Sequence, residues 1–351
     1  MSKVKEYSWM TKDKLMTYTF IALLILVGVS FISWGVTPLI VSAIAVLIAV
    51  AIDYLTSKVR RGSPLNTMSA AVFGLIVALS YSLGTPSMYG EEVLALEAPE
   101  AYFYVAIISA IGMVVFKKLQ GVLGRKYVNP AAAAKLLVFA PFLNTVLIAK
   151  DHLVTGLLQM PALAGPIGYS VINNNGVLPF ANYIFTSFAN PAVSLPPTVT
   201  SSDVFWLLLV QKYHSWIGGA SSLAVIIVGL GLFLVARKYI KWRITLSYLV
   251  TVTLMALLMT AIYGGDPYLR IGFELFIGSS IFLAFFMATD PATTPLTGLG
   301  QGIFGVGLGI LTVLIQTFMN FFGGSILALV IMNLTVPLLD RVGIHKPFGR
   351  R

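Results

Sequence analysis

Residues Phe286 to Pro295 read FMATDPATTP, a polar knot closing an otherwise apolar run. It places Asp290, three threonines (Thr289, Thr293, Thr294) and two prolines (Pro291, Pro295) where a helix would otherwise continue. Neither proline can extend a helix, because each lacks an N–H donor and crowds the preceding turn. An aspartate beside hydrocarbon is costly unless it faces protein, water or a ligand. Irregular polar backbone at membrane depth persists only where protein buries it or a cavity is lined by it. The knot therefore reads as a site rather than as part of a plain span.

The rest of the chain supplies the membrane setting. Of its 351 residues 58% are hydrophobic and only 10% are charged, and the mean hydropathy is +0.90. A water-soluble domain of this length needs far more charge to cover its surface. Ten apolar segments are expected as spans: Leu15 to Trp34, Thr37 to Leu55, Met68 to Leu83, Ala101 to Phe116, Ala131 to Ala149, Ile217 to Ala236, Ile244 to Tyr263, Gly272 to Ala288, Ile303 to Phe318 and Ser325 to Leu339. Several approach the roughly 20 residues that a helix needs to cross about 30 Å of hydrocarbon. The runs are too continuous for the alternating strands of an outer-membrane barrel. The first is too long for the apolar region of a cleaved leader and reads as a retained span.

The net charge of +10 lies in clusters between these runs. They comprise Lys58, Arg60 and Arg61; Lys117, Lys118, Arg125 and Lys126; and Arg237, Lys238, Lys241 and Arg243, with both termini basic as well. Alternating the spans puts every cluster on one face, and puts Glu91, Glu92, Glu97, Glu100, Asp151, Asp203 and Asp266 on the other. Basic residues concentrate on the cytoplasmic side, so both termini are expected there and the number of spans is even. This distribution argues against a nucleic-acid partner. Cysteine is absent, which excludes thiolate-held iron–sulfur clusters, Cys-type zinc sites and disulfides. The only histidines, His152, His214 and His345, do not support a bis-histidine haem.

Two expected spans are short, Met68 to Leu83 and Gly272 to Ala288, and each is third in its half. Each ends in a knot, SYSLGTPS (Ser80 to Ser87) in the first half and MATDPATTP in the second. Five spans per half make the halves run in opposite directions, and matched interrupted spans point to an inverted repeat with a ligand site near its axis. The expected divisions are an N-terminal segment (1–14), a first five-helix repeat (15–149), an outward-facing cap (150–216), a second repeat (217–340) and a basic tail (341–351). A third polar segment, GRKYVNPAAAAKLL (Gly124 to Leu137), sets Asn129 and Pro130 before four alanines. Asn before Pro suits a helix start, and small residues suit either close packing or room for a ligand. Lys135 is expected to snorkel to the cytoplasmic side. Asp53 is expected to reach water or pair with Lys58 or Arg60, and Glu274 to begin the eighth span near the outer face; a place in a cation path is the alternative for either, and both read as structural.

These segments resemble the NqrB/RnfD family. The likeness rests on FMATDPATTP followed by GLGQGIFGVGLGILTVLIQ, on KKLQGVLGRKYVNPAAAAK, on NTMSAAVFGLIVALS (Asn66 to Ser80), on the stretch from Trp216 to Ile244 and on ALVIMNLTVPLLDR (Ala328 to Arg341). The family comprises flavin-carrying membrane subunits of the sodium-pumping NADH:quinone oxidoreductase and of the Rnf ferredoxin:NAD complex. The resemblance implies an all-α polytopic membrane protein of about ten helices in two inverted halves, urea-transporter-like, in a prokaryotic cell membrane. It also implies partner subunits, peripheral and membrane-bound, and a role in coupling electron transfer to cation movement. NAD(P)H chemistry would need another subunit, so this chain is not expected to be catalytic alone.

The family's S-G-A-T attachment sequence for a phosphoester-linked FMN is not matched. Its nearest equivalent is DHLVTGLLQMP (Asp151 to Pro161), where Leu158 stands near the expected threonine. Leucine has no oxygen to esterify, so no covalent FMN is expected. The family's second flavin, non-covalent (riboflavin or FMN), would fall at Asn129, Pro130, Lys135, Thr289, Asp290, Thr293 and Thr294. A flavin needs apolar walls and a few donors and acceptors at its ring edge. No metal site is expected. A rival reading is a channel or carrier for a small solute on the same fold; another is a scaffold subunit without cofactor.

Overall fold

The computed structural model of the protein describes residues 12–59, 65–81, 100–119, 126–139, 209, 216–236, 239–263, 267–276, 280–318 and 324–343. Helix fills most of these, and no strand occurs among the described residues. In the first half α1 is Lys12–Trp34, α2 Thr37–Val59 and α3 Thr67–Leu79. Helix α4, Glu100–Ile111, widens into a π-helical run over Gly112–Leu119, and α5 is Pro130–Phe139. The second half opens with a 3-10 turn, Ile217–Gly219, then α6, Ser222–Ala236, and α7, Trp242–Tyr263. Helix α8 is Pro267–Phe276; α9, Ser280–Phe282, runs on as a π-helix over Leu283–Met287. Helices α10, Gly298–Phe318, and α11, Gly324–Leu339, complete the fold.

Each of the ten expected segments carries helix over at least part of its length. Among the described residues five helices are long and apolar enough to cross a membrane, while α3, α6 and α11 are shorter apolar helices. The eighth segment departs from expectation. It is two helical pieces whose axes are inclined by 53°, together long enough for a sixth crossing. The outward faces are as apolar as the inward ones: Leu47, Leu234 and Leu254 are 69%, 78% and 60% exposed. A helix that is apolar all round is stable only in an apolar surrounding. This is a polytopic helical membrane protein.

Glycines set the closest helix contacts. A Cβ on Gly74 of α3 would lie 2.7 Å from Cα of Val46 on α2. One on Gly305 of α10 would lie 2.6 Å from the Ile244 carbonyl oxygen of α7. In lipid no hydrophobic force distinguishes one helix face from another, so such small-residue seams, by allowing close backbone approach, supply the packing. At the end of α1, Gly35 adopts φ +68° and its N–H bonds to the Phe31 carbonyl at 2.9 Å, a left-handed stop that turns the chain into α2.

Polar contacts tie the first half together and join it to the start of the second. Asp53 of α2 is buried and pairs with Lys118, while its other oxygen accepts the Asn66 N–H at 2.9 Å. The expected pairing with Lys58 or Arg60 is thus replaced by one across helices, which also secures the start of α3. Lys135 does not snorkel to the cytoplasmic side. It is buried, donates to the Ser80 carbonyl, and its ammonium sits 4.4 Å from the Trp216 ring centroid. The carbonyl at the end of α3 and the ring face are two electron-rich groups that offset its burial. Beside them the Ile217 N–H bonds to the Tyr81 carbonyl at 2.8 Å, and the Ser30 hydroxyl donates to the Ile217 carbonyl at 2.6 Å.

Candidate functional site

The knot is held in place by two asparagines. Asn129 caps α5: its side-chain oxygen accepts the N–H groups of Ala131 and Ala132 at 3.1 and 3.2 Å. Its amide then donates to the Met287 carbonyl at 3.2 Å. Asn333, one per cent exposed on α11, accepts the Asn129 backbone N–H at 2.8 Å and donates to the Thr293 carbonyl at 3.0 Å. Three segments far apart in the chain are thereby joined by donors and acceptors that burial would otherwise leave unsatisfied.

The π-helical run explains why Met287 offers a carbonyl. A helix closing on residue i−5, as Ala288 N–H does to Leu283 at 2.8 Å, leaves neighbouring carbonyls open, and such widened turns recur at functional sites. Side chains take them up. Thr245 donates to Ala284 at 2.6 Å, Thr289 to Phe285 at 2.8 Å and Asn129 to Met287. Beyond the run Asp290 folds the knot on itself: its carboxylate accepts the Ala292 N–H and the Thr293 hydroxyl, both at 3.2 Å. The Thr294 hydroxyl donates to the Asp290 carbonyl at 2.6 Å. Lys241 closes the far side with bonds to the Thr294 carbonyl and hydroxyl at 2.9 and 2.7 Å.

Between this knot and the first half lies a cleft enclosing about 840 Å³, solvent-open space included. Its walls are apolar, with Phe73, Val72 and Ile76 from α3, Phe285 and Phe286 from the π-helical run, and Leu15 and Met16 from α1. Polar side chains line it as well, among them Asn129, Thr289, Asp290, Lys117 and Lys126. Lys117 donates to the Ser69 carbonyl and lies 5.2 Å from the Phe73 ring centroid. Small-molecule pockets have this composition, apolar walls with a few polar groups. The residues present fit a flat aromatic ligand with polar ring edges. Phe73, Phe285 and Phe286 would cover its faces, while Thr289, Asp290 and the lysines would meet its heteroatoms.

Of the residues expected at the site, Asn129, Pro130, Thr289 and Asp290 line the cleft. Thr293 and Thr294 are buried within the knot and shape it; Lys135 lies at the α3–Trp216 junction instead. Asn333, Lys117, Lys126 and Lys241 are not among the expected residues. An asparagine inside an apolar helix is itself a signal, and Asn333 could be found that way. Glu274 is wholly buried within α8, not placed at its outer start. Leu158 and the rest of the cap apart from Leu209 and Trp216, and the knot SYSLGTPS beyond Tyr81, lie outside the described residues.

Comparison with known proteins agrees with the resemblance. The chain is 26% identical over 95% of its length to the D-type subunit of the Na(+)-translocating ferredoxin:NAD(+) oxidoreductase complex of Acetobacterium woodii, covering 90% of that protein. It is 27% identical over 91% of its length to the proton-translocating counterpart of Clostridium ljungdahlii, covering 86%. It is 30% identical over 73% of its length to the D-type subunit of the ion-translocating oxidoreductase complex of Methanosarcina acetivorans, covering 88%. The model of the NQR2, RnfD, RnfE family matches residues 7–349. With that match running almost from end to end, the chain belongs to the NQR2, RnfD, RnfE family.

Proposed function

We propose that this chain is the D-type membrane subunit of an ion-translocating oxidoreductase complex and holds a non-covalent flavin in the cleft between α3, the π-helical run and the knot. The observation that carries the reading is the cleft itself. Aromatic walls from both halves meet polar groups from two of the segments that carry the family resemblance. The names of the relatives, subunits of ion-translocating ferredoxin:NAD(+) oxidoreductase complexes, supply the setting. In that setting the chain works with companion subunits, since it lacks the cysteines that an iron–sulfur relay requires. It crosses a prokaryotic cell membrane ten times in two inverted halves, with both termini cytoplasmic.

A bound flavin supplies one- and two-electron transfer, and the protein sets its tendency to accept electrons through hydrogen bonds and nearby charge. Phe73, Phe285 and Phe286 exclude water from the ring faces. Lys117 and Lys126, which line the cleft, would hold positive charge beside a bound flavin and so favour its accepting electrons. Asn129 and Asn333 hold the knot at a fixed distance from α5, so the polar groups stay in register. Leu158 stands near the position of the family's attachment threonine, so no esterified FMN is expected on this chain beside the flavin in the cleft.

Denaturing the purified complex and separating its subunits tests this directly. Flavin is expected in the supernatant and not on the band of this chain. Asp290→Leu should cut the released amount several-fold with the chain still in the membrane. Unchanged flavin content in that variant, or flavin retained on the denatured band, would overturn the reading.

A further inference from the structure

Lys135 lies outside the cleft, and the mechanism above leaves it unused. Three elements nonetheless lead from the cleft to it, each by one turn. On α3 Ile76 lines the cleft; its carbonyl accepts the Ser80 N–H at 2.9 Å, and the Ser80 carbonyl accepts from the Lys135 ammonium. On α5 Ala131 lines the cleft, and Lys135 follows one turn later, about 6 Å along the axis. From the π-helical run Phe286 lines the cleft and stacks on Phe282 with ring centroids 5.2 Å apart. Phe282 meets Trp216 edge to face at 6.0 Å, and the ammonium lies over the Trp216 ring. Lys135 is 6% exposed, whereas Lys117 and Lys126 are half-buried. Among the described residues no carboxylate pairs with it: that of Asp53 is taken by Lys118, and only a carbonyl and a ring face answer the charge. An ammonium without a counter-charge is costly in a membrane interior.

We propose that Lys135 is the counter-charge for an electron held in the cleft. That role rests on the reading of the cleft as the seat of a flavin, and Lys135 fills it without touching the ligand. A group that accepts an electron without a proton gains one negative charge. Before reduction the positive charge behind the cleft wall is in excess; afterwards two opposite charges face each other across one helical turn. In an interior of low dielectric such a pair is little screened. Water screens Lys117 and Lys126 more, because they are only half-buried. The end of α3 and the Trp216 ring do not cancel the charge; they fix where it sits. A carboxylate beside Lys135 would cancel it before the electron came. The electron enters from and leaves to partner subunits, and no bond forms or breaks at Lys135.

The test is a redox titration of the whole complex, with Lys135→Met, Lys135→Gln and Lys135→Arg. The absorbance component that Asp290→Leu diminishes is assigned to the cleft flavin. Met keeps the stem without the charge, and Gln also keeps a donor for the Ser80 carbonyl. In both, at unchanged flavin content, the midpoint potential is expected to fall. At the potential that half-reduces the wild type, oxidised flavin should then exceed reduced flavin about tenfold. Lys135→Arg keeps the charge and should restore the wild-type midpoint. A wild-type midpoint in the neutral variants would overturn the role, as would a low midpoint in the Arg variant or loss of flavin from both neutral ones. Flavin missing from the wild-type complex would instead overturn the reading of the cleft.

Discussion

At the residue scale the two asparagines carry more than their size indicates. Removing Asn129 deletes a helix cap, worth about 1 kcal/mol, and leaves the buried Met287 carbonyl only the long bond from the Asp290 N–H at 3.4 Å, which costs about 1–3 kcal/mol. Asn129→Ala is therefore expected to lower stability by about 2–4 kcal/mol, read as a lower midpoint on thermal unfolding in detergent. Asn129→Asp keeps the capping oxygen but loses the donor to Met287, and should recover only part of that loss; full recovery would show that the bond across segments contributes nothing. Lysines are harder to read from sequence. A long stem invites snorkelling, and no local pattern announces that the carbonyl at Ser80 lies within reach of Lys135. Asp53 is misread for the same reason, since its partner Lys118 comes from a different helix. Local sequence supplies the charge; the fold decides what answers it.

Helices, by contrast, are largely legible as elements. Every expected apolar segment carries one, because lipid demands that each backbone donor and acceptor be satisfied within its own segment. The break in the eighth segment is not legible beyond its shortness: Gly278, Ser279 and Ser280 resemble any small-residue stretch, and the 53° turn depends on what packs against it. The seam between α7 and α10 is the element whose failure is most easily tested. Gly305 faces the Ile244 carbonyl, and Gly309 faces Tyr248 and Thr251. Gly305→Val should force these helices apart, since backbone atoms cannot yield as a flexible side chain does. The expected outcome is loss of most folded protein from the membrane fraction, measured by size-exclusion chromatography. Gly302→Val, on the same helix with open space around its missing Cβ, should be tolerated.

For the whole molecule, the absence of cysteine makes topology directly measurable. Single cysteines at Val36 and Leu296, which are 58% and 74% exposed, should react with an impermeant maleimide from opposite sides of the membrane. Labelling of both from one side would refute the inverted arrangement. The clamp at the knot adds a temporal constraint. Asn129 must wait for Met287, 158 residues later, and for Asn333, 204 residues later. At about 5–20 residues per second of synthesis, that delay is on the order of 10–40 s. Through that interval the lysines and the cap of the first half stand in the bilayer with their second wall unmade. The cleft is thus among the last parts of the molecule to form, and a nascent chain has no place to keep a ligand until its final helix is in.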